Sequence, residues 1–214
     1  MVTTETTSIT QHHGRAALAY ASRGIPVLPC HWPTPQEFPQ FCSCTDLECP
    51  DPAYHPIDAL TTQATHDLSQ LARWWLAHPT ANLATITNSE RIGVIELRHF
   101  ARPEHVVRLL KAYEIERGPL IHAAPGQFQF FVRPDHAKLS PNSSMPLQGA
   151  TLTTLPPGTL VLLPPSRLMS GFRVGWLHRL NHATQLPAAT PFLAQLTEFA
   201  ATRALDDPYP FLSP

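Results

Sequence analysis

Cys42, Cys44, Cys49 and His55 fall within one short stretch, FCSCTDLECPDPAYHP, of a chain whose only other cysteine is Cys30. Thiolate and imidazole are preferred ligands of Zn²⁺, and four of them close its tetrahedral shell. The spacing Cys-x-Cys-x4-Cys-x5-His therefore predicts a structural zinc clip, because four protein ligands leave no open position for a reacting water. Inert thiols are the competing reading, weakened because these cysteines sit among Pro, Asp and Glu rather than in an apolar run. Cys30 and His31 lie just upstream, and either could replace a ligand. Cys30 ends an apolar segment, the ordinary place of a small buried thiol.

Composition limits the other chemistry. Of 15 basic residues only Lys111 and Lys138 are lysines, and the net charge is −1. No broad cationic footprint is present, which argues against strong non-specific DNA binding, since that affinity rests on neutralised phosphates. Charged residues make up 14% of the chain against a usual figure of about 25%, and 24 prolines set short elements and stiff loops. No Gly-rich phosphate loop, Gly-x-Ser-x-Gly or His-Glu-x-x-His motif occurs. The N-terminus lacks a basic start and an apolar run, and no segment approaches the roughly 18 apolar residues of a membrane span. A cytoplasmic protein with no membrane partner is the expectation.

The elements that must position these residues follow from period and punctuation. A short helix is expected over residues 11–23, stopped by Gly24, then a strand at IPVLP that runs into the Cys/His loop. THDLSQLARWWLAHP carries Leu68, Leu71, Ala72 and Trp75 at helical spacing, with Thr65 as N-cap, Asp67 in the first turn and Pro79 as stop. NLATIT and RIGVIEL, joined by NSE, suit a hairpin. RPEHVVRLLKAY predicts another helix, with Pro103 in its first turn. PLIHAA with QFQFFV predicts a second hairpin, and TLVLLPP with RVGWLHRL a third. A last helix is expected at 190–205, with Thr190 as cap and Pro191 following. Helices alternating with antiparallel hairpins give the α+β class. The expected organisation is a disordered segment 1–10, a single domain 11–205 with a metal-loop insertion at 30–56, and a tail at 206–214.

The order of these pieces resembles the N-terminal domain of bifunctional DNA primase/polymerases, the Prim-Pol family of the archaeo-eukaryotic primase type. AALAYASRGIPVLP matches its opening helix and strand, and QATHDLSQLARWWLAHPTANLATIT its Ala-Thr-Thr-Asp, Trp-Trp and Ala-Asn block. GVIELRHF, GQFQFF and the Pro-Pro-Ser, Gly and Trp of LVLLPPSRLMSGFRVGW complete the match, over about residues 16–180. Some relatives carry a similar Cys/His insertion, in which Gly-Lys stands where this chain has Ala53-Tyr54.

The resemblance implies nucleotidyl transfer with two divalent cations, Mg²⁺ or Mn²⁺, held by carboxylates. The family's Asp-hydrophobic-Asp strand falls on Glu96 and Arg98, and its following histidine falls on Phe128. Its third acidic position falls in PLQGATLTTLPP, which has no Asp or Glu. These departures point to a catalytically degenerate relative, a pseudoenzyme that binds nucleotide, nucleic acid or protein. Two alternatives stay open: a metal-dependent primase/polymerase that retains Glu96, and a zinc-stapled protein-interaction module.

Arg98, Arg133, Ser166 and Arg167 are the nucleotide or nucleic-acid contacts this reading offers. Ser166 and Arg167 follow the Pro-Pro turn at the mouth of the implied cleft. Each has a plainer account: Arg98 pairs with Glu96 or Glu90, and Ser166-Arg167 is a polar turn. Phe128, Phe130 and Phe131 could stack bases, although at least one face of that ladder should be core.

Overall fold

The computed structural model describes the chain except residues 1, 2, 35–40, 58–62, 89, 100–102, 104, 105, 108, 109, 111–117, 136–143, 148, 149, 180–185 and 204–214. The α+β class holds, and every strand pairing whose register is defined is antiparallel. The chain divides into two compact units, Met1–Ile86 with Leu160–Gly175, and Thr87–Thr159 with Trp176–Pro214.

In the first unit, helix α1 (Thr3–Ala21) opens ahead of the expected Gln11. Strand β1 (Leu28–Cys30) follows, then α2 (Leu68–Ala77) and β2 (Asn82–Ile86). The expected cap of α2 is corrected. Thr65 is bridged through its backbone to Val27, and the N-cap is Asp67, whose Oδ1 accepts from Ser69 N at 2.8 Å and Gln70 N at 3.1 Å. A carboxylate there also meets the positive end of the helix dipole. Of the expected apolar stripe, Leu71 and Trp75 are buried, whereas Leu68 and Ala72 are exposed. The first unit also holds a buried histidine, His13, whose Nδ1 lies 2.9 Å from the Ala81 carbonyl oxygen.

The second unit holds β3 (Gly93–Arg98), β4 (Leu120–Ala124), β5 (Gln127–Val132), β6 (Ser144–Leu147) and β7 (Ala150–Thr154). Strand β8 (Leu160–Leu163) returns to the first unit and completes the sheet β1-β2-β8. Strand β9 (Gly175–His178) closes a six-stranded sheet in the order β6-β7-β3-β5-β4-β9, and the last helix is α3 (Ala189–Arg203).

The hairpin expected of PLIHAA and QFQFFV forms as β4-β5, turned by Pro125 and Gly126. Gly126 has φ +71, which a glycine after proline accepts without strain. The other two expected hairpins do not form. β2 is flanked by β1 and β8 while β3 lies between β5 and β7, so the two belong to different sheets. The link after β2 is folded by Asn88, whose Oδ1 accepts from the backbone N–H of Glu90, Arg91 and Ile92. Strand β8 ends at Pro164 and Pro165, which have no N–H to continue a ladder, and β9 sits beside β4 instead.

Strands β6 and β7 were not expected, although β7 alternates half-buried Thr151 and Thr153 with buried Leu152 and Thr154. Within the expected helix at 102–113, the described residues 103, 106, 107 and 110 are helical. Val106 and Leu110 join Ile95, Leu97, Phe128, Phe130, Phe192 and Leu196 in one core. Helix α3 begins one residue before the expected cap, and Thr190 receives a cap rather than supplying one. Asp135 Oδ2 accepts from Thr190 N at 3.0 Å and Oδ1 from its hydroxyl at 2.6 Å.

Candidate functional site

The Cys/His loop closes on itself. The ligand atoms of Cys42, Cys44, Cys49 and His55 all lie within 4.8 Å of one another, the only such group of three or more among the described residues. His55 Nε2 is 3.4 Å from both Cys42 Sγ and Cys49 Sγ. A tetrahedral Zn²⁺ with Zn–S of about 2.3 Å and Zn–N of about 2.0 Å sets that edge at about 3.5 Å. The four residues can thus hold a metal ion, and their donor set suits zinc.

Local backbone geometry aims the sulfurs. Thr45 and Ala53 take left-handed conformations, φ +65 and +61, and the Ala53 N–H points at Cys42 Sγ at 3.2 Å. Such an N–H···S contact orients the sulfur as outer support for a metal ligand. The Ala53 carbonyl accepts from Asn82 Nδ2 at 3.1 Å, and the Tyr54 hydroxyl donates to Leu160 O at 2.8 Å, so the loop is fastened to β2 and β8.

The two substitutes are ruled out by position. Cys30 is fully buried on β1 opposite Asn82, where burial pushes its thiol up to about 12. His31 Nδ1 meets Ser43 Oγ at 2.8 Å and its Nε2 meets Ile57 O at 3.2 Å, while its ring packs against His55 at 4.4 Å between centroids. It supports a ligand and is not one.

Glu96 lies at the centre of a second constellation. It is 2% exposed on β3, directly opposite Gln129 on β5 and Thr153 on β7. Its Oε1 accepts from Arg98 Nε, and its Oε2 accepts from Gln127 Nε2 and from Gln129 Nε2, the latter at 2.7 Å. Arg98 is therefore partnered as its plainer account held, with its side chain still 55% exposed.

Strand alternation decides which residues share this face. Glu96, Arg98, Gln127 and Gln129 lie on one side, and Phe128 lies on the other, fully buried in the core and stacked on His122 at 4.7 Å. Phe128 therefore does not face Glu96; the β5 residues that do are Gln127 and Gln129. On β7 the neighbours of the same parity are Thr151 and Thr153. The family's pair of Mg²⁺ or Mn²⁺ ions does not fit these side chains: among the described residues the face offers one carboxylate, already bound to a guanidinium and two amides.

The remaining candidates separate. Arg133 is exposed one residue beyond β5, on the parity of Gln129, its backbone bonded to Pro187 and Ala189. Ser166 is fully buried; its hydroxyl accepts from Leu83 N at 2.8 Å and donates to Leu83 O at 3.0 Å, which leaves nothing for a phosphate. Arg167 is held by its backbone to Asn82, N to Oδ1 at 2.9 Å and O to Nδ2 at 2.8 Å. Phe130 is buried with Phe128 in the core, and Phe131, on the Gln129 side of β5, is buried as well, so none of the three presents a ring for base stacking. Sequence reasoning missed Gln127, Gln129 and Asn82. The first two were hidden by a one-residue choice of strand face, and Asn82 stood in view inside the Ala-Asn block.

The family model described as bifunctional DNA primase/polymerase, N-terminal, matches residues 17–189. No curated protein matches the chain.

Proposed function

The chain belongs to the bifunctional DNA primase/polymerase N-terminal family, and from that premise we propose that it is a catalytically silent Prim-Pol module. In this reading the polar face of the six-stranded sheet binds a nucleotide or nucleic-acid end and does not extend it. The observation that carries this is the state of Glu96. Its two oxygens are taken by Arg98, Gln127 and Gln129, and the flanking β7 positions are threonines. Two-metal transfer needs several carboxylate oxygens at about 2.0–2.1 Å around each ion. A guanidinium in the place of a ligand neutralises the carboxylate and repels the ion. What remains suits recognition: one half-exposed guanidinium at Arg98, a second cation at Arg133, and amides and hydroxyls between.

The Cys/His loop carries a structural Zn²⁺ in this proposal. Its four ligands stiffen a segment with three prolines and no regular element.

Template-directed extension of a primed oligonucleotide with Mg²⁺ or Mn²⁺ tests the silent reading. No incorporation is expected at any metal concentration. Incorporation that is abolished in Glu96→Gln overturns it. Nucleotide and primed-DNA binding at low salt tests the recognition part, which Arg98→Ala should weaken.

A further inference from the structure

Arg167 and Arg173 oppose each other across a short turn that follows β8. They are antiparallel bridge partners. Leu168 N donates to Phe172 O at 2.9 Å and Gly171 N to Leu168 O at 2.9 Å, with Gly171 at φ +80 closing the turn. Directly opposed residues on an antiparallel pair hold their Cβ atoms about 4.5–5.5 Å apart on one face, and like charges there repel.

Nothing among the described residues relieves that repulsion, since the one ion pair found there is Arg98 with Glu96. The buried His13 lies within reach of Arg167, whose charge, after burial itself, lowers its affinity for a proton, so it offers no counter-charge. Arg167 is lowered too, by burial first and then by Arg173.

The main chain holds the two arginines together in spite of this. Asn82, 1% exposed, clamps both the N–H and the carbonyl of Arg167. Val174 N donates to Ser166 O at 2.9 Å, and Ser166 is bonded in both directions to Leu83. Arg167 stays half-buried and Arg173 exposed at the open side. A pre-positioned, uncompensated pair of guanidinium forks matches the tetrahedral oxygens of a phosphoryl group, which each fork can engage bidentately.

We propose that the Arg167–Arg173 turn is an anion site that binds a phosphoryl group. This goes beyond the silent Glu96 reading and stands or falls apart from it, because the two sites share no residue.

The phosphoryl group could belong to a nucleic-acid backbone or to a free phosphorylated molecule, so the test has two arms. One follows the anisotropy of a labelled single-stranded oligonucleotide at several salt concentrations, and the other titrates the full chain with inorganic pyrophosphate by calorimetry. Arg173→Gln and Arg167→Gln are compared with wild type and with Arg73→Gln on the exposed side of α2, after thermal melts and metal content confirm folding. Weakening by about five- to tenfold in the Arg173 variant is expected, but not in the Arg73 control. A salt slope reduced by about one in the oligonucleotide arm assigns the site to backbone phosphate, and loss in the pyrophosphate arm alone assigns it to a free phosphoryl ligand. Wild type that binds neither probe at low salt overturns the proposal, as does affinity unchanged within about twofold in Arg173→Gln. Should Arg167→Gln fail to fold, the exposed Arg173 decides the matter. Extension activity, present or absent, does not bear on this outcome.

Discussion

Glu96 and Gln129 are direct partners across β3 and β5, and the Gln129 amide donates to the buried Glu96 carboxylate at 2.7 Å. A catalytic metal site would leave such a carboxylate's lone pairs for the ion, whereas here the neighbouring strand and Arg98 supply its donors.

The donors should therefore matter unequally. Gln129 is 3% exposed, so Gln129→Leu strips a hydrogen bond from a buried charge and should cost about 1.5–3 kcal/mol. Arg98 is more than half exposed, and its removal lets water reach Oε1, so Arg98→Ala should cost less than about 1 kcal/mol. Urea midpoints of the two variants check the order. A larger loss in Arg98→Ala would mean that the ion pair, not the amide cage, holds Glu96 in the folded state.

The thiols should fall into two classes. With metal bound, Cys42, Cys44 and Cys49 should resist a thiol reagent such as DTNB; after chelation these three should react. Cys30, buried and pushed up to about 12, should react only on unfolding. Stopped-flow counts at pH 8 before and after EDTA read this directly. Two further expectations follow from the loop. Metal removal should lower the melting temperature, and Cys44→Ser should lose metal while Cys30→Ser keeps it.

His13 gives a pH dependence with a defined sign. Burial lowers its proton affinity below the ordinary histidine value of 6.5, an effect only partly offset by the Ala81 carbonyl. Below pH 6.5 the unfolded chain thus binds a proton that the folded chain resists, and stability falls as pH drops from 6.5 through the lowered folded value. Above 6.5 this residue contributes no slope. Urea unfolding of wild type and His13→Gln between pH 7.5 and 5 isolates the effect. The stability difference between the two proteins should shift against wild type as the pH falls.

What the sequence revealed and what it hid divide along physical lines. The metal ligands were legible because four residues of one chemistry fell within one loop, a pattern that survives without knowledge of the fold. The left-handed Ala53 was half legible. The resemblance set a glycine against that position, and φ +61 is a conformation that glycine takes without strain. The β2–β3 and β8–β9 hairpins were misread because adjacency in sequence was taken for pairing, while Asn88 and the Pro164-Pro165 stop send the strands to different sheets. The wrong face for Phe128 is the usual cost of a period of two, where an error of one residue exchanges core for site.

Asn82 ties the metal loop to the turn that bears Arg167, and this yields the last expectation. Its single amide donates to Ala53 O and Arg167 O and accepts from Arg167 N, all in a site 1% exposed. No other residue type of that size has donor and acceptor on one planar group, so neither Asp nor Leu reproduces the three bonds. Asn82→Leu should leave two carbonyls and an N–H unpaired near the interior and cost about 1–3 kcal/mol. The effect should also reach the metal, because Ala53 is the residue whose N–H supports Cys42. Loss of such outer support typically weakens a metal site about 10–100-fold. Competition with a chromogenic chelator measures it: metal affinity unchanged in a folded Asn82→Leu protein would show that the loop holds its ligands without help from β2.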